Sequence, residues 1–263
     1  MPSPRVTDQK LSSMSDRLRL SYMRDHMAQM LEHATMAKMT PRETLEYFLA
    51  QEIDQRESNR IRLATMAAHF PRICTFDSFD MSVQPTLDPG LIRELKKLEW
   101  IDSAENVLLL GPPGVGKTHL AIALGREAVV AGKSVLFMSA TSLLQTLEKA
   151  DRENALQEKL AWLNKPKLLI IDELGYLPFS PRASHLLFQL VNRRYENKSI
   201  LITSNRPIGE WGLILGDPTA ATAILDRLIH HSTTITITGD SYRLKAHKKD
   251  KLTKRSEERR VGK

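Results

Sequence analysis

The sequence contains almost no cysteine and no long apolar segment. Its one cysteine among 263 residues, Cys74, excludes an internal disulfide, and a small buried side chain is a more ordinary role for it than a reactive thiol. No apolar run approaches the roughly 18 residues that a membrane span needs, and the N-terminal residues are polar, without the apolar core of a signal peptide. We therefore predict a cytoplasmic protein that has no membrane partner.

The chain has a net excess of charge of one sign only at its C-terminal end. The net charge is +7, and residues 243–263 alone contain ten Lys or Arg and three Asp or Glu, so basic and acidic residues balance over the rest of the chain. Such a tail is typical either of phosphate-backbone contacts or of a solvated, disordered end. We expect residues 246–263 to be disordered, and residues 256–263, which lack any apolar periodicity, to contribute nothing to the fold.

The chain is long enough for one full-size domain and a smaller helical region. Residues 1–70 are predicted to form a small all-α domain that contacts a partner or DNA. Residues 71–87 are interpreted as an irregular linker, and residues 88–245 as the larger domain. Nine of the ten methionines lie in the first 81 residues, which suits either an adaptable docking surface or a small core filled with methionine.

Two helix starts are predicted in the N-terminal region. The first helix is expected to begin behind a cap at Ser15 or Asp16, because Leu20 and the methionines that follow it recur at spacings of three and four. The second start is sharper, since Thr40-Pro41-Arg42-Glu43 has the form of a capping box with proline at the first helical position.

Apolar runs alternate with helical patterns in the larger domain. This alternation predicts an α/β fold, in which helices sandwich a five-stranded, mainly parallel sheet. The stretch 141–163 is long for one crossover and is expected to divide into two helices near Asp151. The predicted strands are residues 106–110, 134–139, 167–172, 199–204 and 234–238.

A glycine-rich segment follows the first of these strands and fits the pattern Gly-x4-Gly-Lys-Ser/Thr. In this pattern backbone N–H groups form a nest for the β-phosphate of a nucleoside triphosphate. Lys117 is expected to reach the β- and γ-phosphates, and Thr118 to give its hydroxyl to Mg²⁺. The strand before it and the helix after it favour this interpretation over an ordinary turn. The residues predicted to bind ATP are Gly111, Pro112, Pro113, Gly114, Val115, Gly116, Lys117, Thr118 and His119.

Two other predicted strands end in polar side chains at the same edge of the sheet. Asp172 is expected to join Thr118 in holding Mg²⁺, and Glu173 to orient or deprotonate the attacking water. The neutral amide of Asn205 is suited to hydrogen-bond both a γ-phosphate oxygen and that water. Solvated carboxylates at a strand end and a turn-forming asparagine are the alternatives. We predict Glu173, Asn205 and Lys117 as catalytic residues.

Together these motifs resemble the AAA+ P-loop ATPases, and within them the clade of helicase loaders and IstB-like transposition helpers. The match to the IstB-like helpers is carried by residues 76–80, 105–121, 171–176 and 241–245. The resemblance implies an ATPase that forms a homo-oligomer on double-stranded DNA and assists a transposase encoded beside it. A replicative helicase loader, which prefers single-stranded DNA, is the alternative, and a small-molecule kinase is disfavoured by Asn205 and Arg227.

The same resemblance implies roles for residues outside the phosphate loop. Arg227 falls where the family has an arginine finger that reaches the neighbouring subunit's ATP, and a helix-surface arginine is the plain alternative. Loaders of this clade have another arginine one turn earlier, where this chain has Ala223, and Arg243 is a candidate to replace it. Residues 141–163 resemble a helical insertion that contacts DNA, with Lys149 and Arg152 as its phosphate contacts.

Overall fold

The computed structural model describes residues 8–81, 84–176 and 178–239. These residues form two compact units, one ending at Leu63 and the other beginning at Ala64. The domain limits predicted at residues 70 and 88 remain a prediction. Arg243 and the basic tail lie outside the described residues. Within the described residues, no helix combines the length and the apolar content that crossing a membrane requires.

Three helices make up the first unit: α1 (Asp8–Arg17), α2 (Ser21–Met36) and the first part of α3 (Pro41–Ala67). Their core is largely methionine, which fills irregular gaps because its side chain is unbranched and flexible. The buried members of this core are Met23, Met27, Met30, Ala34 and Phe48. These three methionines therefore fill a small core, which is one of the two roles predicted for the methionine-rich region.

The N-terminal cap predicted for the first helix is wrong. Ser15 and Asp16 lie inside α1, and α2 begins after Leu20, whose side chain provides no cap. The cap comes from α3, because the buried carboxylate of Glu52 accepts a hydrogen bond from the backbone N of Met23 at 3.0 Å. By contrast, the capping box predicted at the start of α3 is present, with both reciprocal hydrogen bonds between Thr40 and Glu43.

A five-stranded parallel sheet forms the centre of the second unit. Its strand order is β2-β3-β4-β1-β5, so β4 lies between β1 and β3. The strands are β1 (Asn106–Leu110), β2 (Val135–Ser139), β3 (Leu168–Leu174), β4 (Ser199–Ser204) and β5 (Ser232–Thr236). The helices are α4 (Pro89–Lys97), α5 (Glu99–Asp102), α6 (Lys117–Val130), α7 (Ala140–Arg152), α8 (Leu156–Leu163), α9 (Pro181–Arg194), α10 (Trp211–Ile214) and α11 (Pro218–His230).

Helices cover both faces of this sheet, as predicted. Leu169 and Ile171 of β3 pack in one apolar cluster with α7, α8, α9 and α11, whereas Ile170 faces α6. A glycine lets α6 approach closely, since a Cβ atom on Gly125 would lie 2.7 Å from Cδ1 of Ile170. The crossover 141–163 divides into α7 and α8 as expected. The last strand begins two residues earlier than predicted because its Ser232 pairs with the start of β1.

The guanidinium of Arg194 forms hydrogen bonds with several segments at the edge of the sheet opposite the phosphate loop. Its side chain is fully buried, and this burial lowers the pKa of Arg194 to about 9, so the group remains charged at neutral pH. Backbone carbonyls compensate the charge. The acceptors, at 2.7 to 3.2 Å, are the carbonyl oxygens of Leu163, Pro166, Lys167 and Ser199. One side chain therefore fixes the end of α8 against the starts of β3 and β4.

Candidate active site

The phosphate loop joins the end of β1 to the start of α6. Gly111 adopts a φ of +144°, and a Cβ atom there would collide with the backbone carbonyl of Ile237. Gly116 adopts a φ of +100°, and a Cβ atom there would lie 2.6 Å from Cε2 of Phe79. Both positions therefore require glycine. Because α6 begins at Lys117, its free N–H groups and the positive end of its dipole face the loop and favour an anion.

Lys117 is held within the loop by the loop's own carbonyl groups. Its Nζ donates to the carbonyl oxygen of Gly111 at 2.6 Å and to that of Pro112 at 2.8 Å. The residue is only 9% exposed, so its ammonium group lies largely out of solvent. A phosphate oxygen compensates such a charge better than neutral carbonyls do, because charge-assisted hydrogen bonds are the stronger ones.

Asp172 joins α6, β3 and β4 through hydrogen bonds. The Oγ1 of Thr118 donates to its carboxylate, at 2.9 Å from Oδ1 and 3.1 Å from Oδ2, and the Oγ1 of Thr203 lies 2.6 Å from Oδ1. Asp172 is buried, so this network is shielded from water. Carboxylate and hydroxyl oxygens are the ligands that Mg²⁺ prefers, so the chemistry of Thr118 and Asp172 fits this ion.

A β-bulge in β3 makes the side chains of Asp172 and Glu173 point in different directions. Between Ile171 and Leu174, β3 advances three residues while its partner β4 advances two. The extra residue lets Glu173 adopt a φ of +61°, with its backbone N donating to Thr203 Oγ1 at 2.9 Å. Asp172 consequently points into the buried network, whereas Glu173 is exposed. Bulges commonly re-aim side chains next to active sites in this way.

A cavity of about 690 Å³ lies at this edge of the sheet, within the range of ordinary ligand sites. It brings together most of the residues predicted from the sequence, because β1, β4 and β3 are neighbours and all end here. Asp172 lies behind the cavity, in contact with Thr118. The predicted residues that line the cavity are Pro113, Gly114, Val115, Gly116, Lys117, Thr118, His119, Glu173 and Asn205.

The opposite wall of the cavity was not foreseen as part of a site. It is formed by the stretch that the sequence interpretation treats as a linker, and its lining residues are Arg72, Ser78, Phe79, Asp80 and Gln84. His119 fastens this stretch to the start of α6, since its Nε2 lies 2.9 Å from the carbonyl oxygen of Thr75 and its ring packs edge-on against Phe79, 5.3 Å between centroids. The one earlier signal was the family resemblance at residues 76–80.

Thr203 and Tyr176 also line the cavity and were not predicted as site residues. Thr203 connects the carboxylate of Asp172 to the backbone of Glu173, because its hydroxyl donates to Oδ1 of Asp172 and accepts from the backbone N of Glu173. Thr203, like Asn205, is a polar residue where a buried strand ends, so the same sequence pattern predicts it as a site residue.

Arg227 lies in α11 and does not line this cavity. Its Nε donates to Oδ1 of Asn192 at 2.9 Å, and its Nη1 donates to the carbonyl oxygen of Ala223 at 3.0 Å. The guanidinium also lies 5.0 Å from the centre of the Phe188 ring. Contacts with α9 and α11 thus hold a half-buried guanidinium in a defined orientation outside the lining of this cavity.

Lys149 and Arg152, the predicted DNA contacts, lie in the last turn of α7 and outside the cavity lining. Both are exposed. The surface around them is mixed in charge, because Lys149 Nζ lies 3.9 Å from a carboxylate oxygen of Glu153 and Asp151 is paired with Arg182. The position leaves both cations accessible, but the local field is weaker than that of a purely basic patch.

Comparison with known sequences gives extensive matches. The profile of a family described as IstB-like ATP binding protein matches residues 13–250. A putative ATP-binding protein of insertion sequence IS21 from Pseudomonas aeruginosa is 46% identical over 240 residues, which are 91% of this chain and 91% of that protein. A putative ATP-binding protein of insertion sequence IS5376 from Geobacillus stearothermophilus is 43% identical over 237 residues, covering 90% of this chain and 94% of the relative.

A solved structure supports the fold. DnaA from Aquifex aeolicus, bound to AMPPCP, is similar with a TM-score of 0.53 and 25% sequence identity. The similarity covers 71% of this chain and 56% of the DnaA chain, so this chain spans little more than half of that protein. Together with the strand order and the helical N-terminal region, it confirms the predicted AAA+ P-loop fold.

Proposed function

The chain belongs to the family of IstB-like ATP binding proteins, and from this premise we propose that it is a magnesium-dependent ATPase that assembles on duplex DNA and assists the transposase of an insertion sequence. The observation that carries the proposal is the convergence of the phosphate loop, Glu173 and Asn205 on one cavity, with Asp172 hydrogen-bonded to Thr118 beside it. The names of the relatives, ATP-binding proteins of insertion sequences, support the link to a mobile element.

ATP binding rests on the loop and on Lys117. The backbone N–H groups of the loop and the start of α6 receive the β-phosphate, and the Nζ of Lys117 exchanges its carbonyl partners for β- and γ-phosphate oxygens. The hydroxyl of Thr118 and the carboxylate of Asp172 would hold Mg²⁺, which when bound would supply positive charge beside the phosphate oxygens. The burial of Lys117 and Asp172 strengthens their contacts, since electrostatic interactions are less screened away from water.

Hydrolysis requires a base and a group that positions water. The exposed carboxylate of Glu173 accepts a proton as the water oxygen bonds the γ-phosphorus and the bond to the β–γ bridging oxygen breaks. The amide of Asn205 donates to a γ-phosphate oxygen and accepts from the attacking water, because one amide offers both a donor and an acceptor. The hydroxyl of Thr203 accepts a hydrogen bond from the backbone N of Glu173, and this bond fixes the point from which the carboxylate side chain extends.

The homo-oligomer is proposed because Arg227 does not line the cavity of its own subunit. Asn192 and Phe188 orient its guanidinium on the surface of α9 and α11, where a second subunit is able to present its ATP. In this arrangement each active site is completed by the neighbour. Hydrolysis then depends on assembly, whereas assembly requires bound ATP but no hydrolysis.

Contacts with DNA and with the transposase are assigned to other parts of the chain. We assign the phosphate backbone of duplex DNA to Lys149 and Arg152, both exposed at the end of α7. Residues 1–70, the predicted helical domain, are assigned to the transposase or to DNA. Because two cations in a mixed surface give weak binding alone, affinity has to come from many subunits acting on one duplex.

The replacement Lys117→Ala is expected to weaken ATP binding by at least about a hundredfold, because the β- and γ-phosphates lose a charge-assisted partner inside a largely buried loop. Isothermal titration calorimetry with ATP and Mg²⁺ measures the affinity. Lys97→Ala is the matched control, since Lys97 is an exposed lysine paired with Glu94 on α4. Near-parental affinity in a folded Lys117→Ala protein would refute the phosphate-loop assignment.

Assembly on DNA is the second test of the proposal. With a slowly hydrolysed ATP analogue and duplex DNA, light scattering after size exclusion is expected to show a species of several subunits, which duplex DNA or the analogue alone does not produce. Binding should be largely independent of sequence and should weaken steeply with salt, because each phosphate contact releases counterions. Equal assembly without the analogue contradicts the coupling to ATP, and a strong preference for single-stranded DNA favours a helicase loader.

A further inference from the structure

Three metal-ligating side chains come together at the edge of the sheet opposite the phosphate loop. They are Glu196, in the turn between α9 and β4, and the consecutive histidines His230 and His231, where α11 ends. One ligand atom from each residue lies within 4.8 Å of the other two, and the centres of the two imidazole rings are 4.1 Å apart. Among the residues that the structure describes, this is the one group of three such side chains with this spacing.

The backbone of this group is already held in place by secondary structure. The carbonyl oxygen of His231 accepts a hydrogen bond from the N of Asn106, the first residue of β1, at 2.8 Å. Glu196 lies in a turn in which the N of Asn197 donates to the carbonyl oxygen of Arg194 at 2.9 Å. All three ligating side chains are exposed, so only side-chain rotations are needed to bring their ligand atoms together.

Tyr195 lies beside two members of the group. Its hydroxyl is 2.8 Å from Nδ1 of His230. Desolvation and the nearby carboxylate of Glu196 raise the pKa of the Tyr195 phenol. The other ring nitrogen of His230, Nε2, has no hydrogen-bond partner among the described residues. Histidines that bind metals commonly have their second ring nitrogen held by a hydrogen bond of this kind, which fixes the orientation of the ring.

We infer that Glu196, His230 and His231 bind a zinc ion, with water as the fourth ligand. Two imidazole nitrogens and one carboxylate oxygen suit zinc, whereas Mg²⁺ and Ca²⁺ prefer oxygen ligands alone. With bonds of about 2.0–2.2 Å, the ligand atoms of a tetrahedral zinc ion lie roughly 3.4 Å apart. Oε1 of Glu196 already lies 3.7 Å from Nε2 of His231, so this pair is close to the required separation.

The zinc site is independent of the proposed ATP site, because none of its three ligands lines the ATP cavity. Bound zinc joins the end of α11 to the turn that follows α9. An ion that binds the folded chain through residues so far apart in sequence stabilises the folded state, because the unfolded chain does not hold these ligands together. Zinc should therefore raise the unfolding temperature as well as bind.

The test titrates zinc chloride into the full chain, without a histidine tag, by calorimetry in excess Mg²⁺ so that zinc does not occupy the proposed Mg²⁺ site. One zinc ion per chain is expected to bind. Glu196→Gln and His231→Ala should each weaken the affinity by at least about a hundredfold, since loss of even an outer partner of a metal ligand costs about 10–100-fold. His185→Ala is the matched control, because it removes an exposed histidine that is paired with Asp217.

Thermal unfolding with and without zinc is the second measurement. Zinc should raise the unfolding temperature of the parent and of His185→Ala. It should leave that of Glu196→Gln unchanged, and this variant should unfold close to the parental temperature in the absence of zinc, which verifies its fold. A parent that binds no zinc overturns the inference. Parental zinc affinity in both Glu196→Gln and His231→Ala also overturns it, because the ion is then held by other residues.

Discussion

The replacement Glu173→Gln is expected to slow ATP hydrolysis by at least about a hundredfold while leaving ATP affinity close to that of the parent. Glutamine keeps the shape and the hydrogen-bonding capacity of the side chain but cannot take a proton from water, and a positioned base contributes roughly 10²–10⁴ to the rate. The bulge should survive the change, because its hydrogen bond to Thr203 uses the backbone of residue 173. Phosphate release at saturating ATP measures the effect.

Glu94→Gln is the matched control for this experiment, since Glu94 is an exposed carboxylate on α4 that pairs with Lys97. It should hydrolyse ATP at the parental rate. Because Glu173→Gln retains ATP, its assembly on duplex DNA should also outlast that of the parent. Parental turnover by Glu173→Gln would mean that another carboxylate acts as the base.

The replacement Arg227→Ala is expected to reduce hydrolysis by about 10³-fold, because the charge that develops on the γ-phosphoryl group loses its arginine partner. ATP affinity should not change, since Arg227 does not line the cavity of its own subunit. Asn192→Ala should give a smaller loss, because Asn192 only orients the guanidinium through its Oδ1. Arg182→Ala, which removes an exposed arginine paired with Asp151, is the control.

A mixture of two inactive variants tests whether Arg227 acts across an interface. Lys117→Ala subunits do not bind ATP but still present Arg227, whereas Arg227→Ala subunits bind ATP and lack the finger. Shared interfaces should therefore recover part of the hydrolysis. A mixture that co-assembles by size and recovers no activity argues that Arg227 is only a helix-surface residue.

The second unit could be predicted well because its signals are local. A buried strand followed by a glycine-rich loop and a helix is specified by the nearby sequence, and the parallel order then brings three strand ends to one edge. The placement of Asp172, Glu173 and Asn205 at this edge follows from that rule. The bulge at Glu173 does not, because it depends on the register between β3 and β4, which the sequence of either strand alone does not specify.

The errors and omissions share a physical cause, which is that distant residues supply the missing partner. The cap of α2 comes from Glu52, which lies 29 positions after the amide that it caps. The nearby sequence offers only Ser15 and Asp16, so it predicts the wrong cap. Gln84 and Phe79 line the cavity although both precede the first strand of the sheet, and Phe79 does so by packing against Gly116 of the phosphate loop. No periodic pattern marks such a segment, and its turn-rich composition resembles that of a linker.

The left-handed backbone at Glu173 holds the residue that we propose as the catalytic base in a strained conformation. A non-glycine residue with positive φ costs about 1–2 kcal/mol, a notable share of the roughly 5–15 kcal/mol by which a domain is stable. Glycine would relieve this strain but would remove the carboxylate from the cavity. A variant selected only for thermal stability would therefore favour glycine at residue 173, and it would lose the carboxylate that we propose as the base.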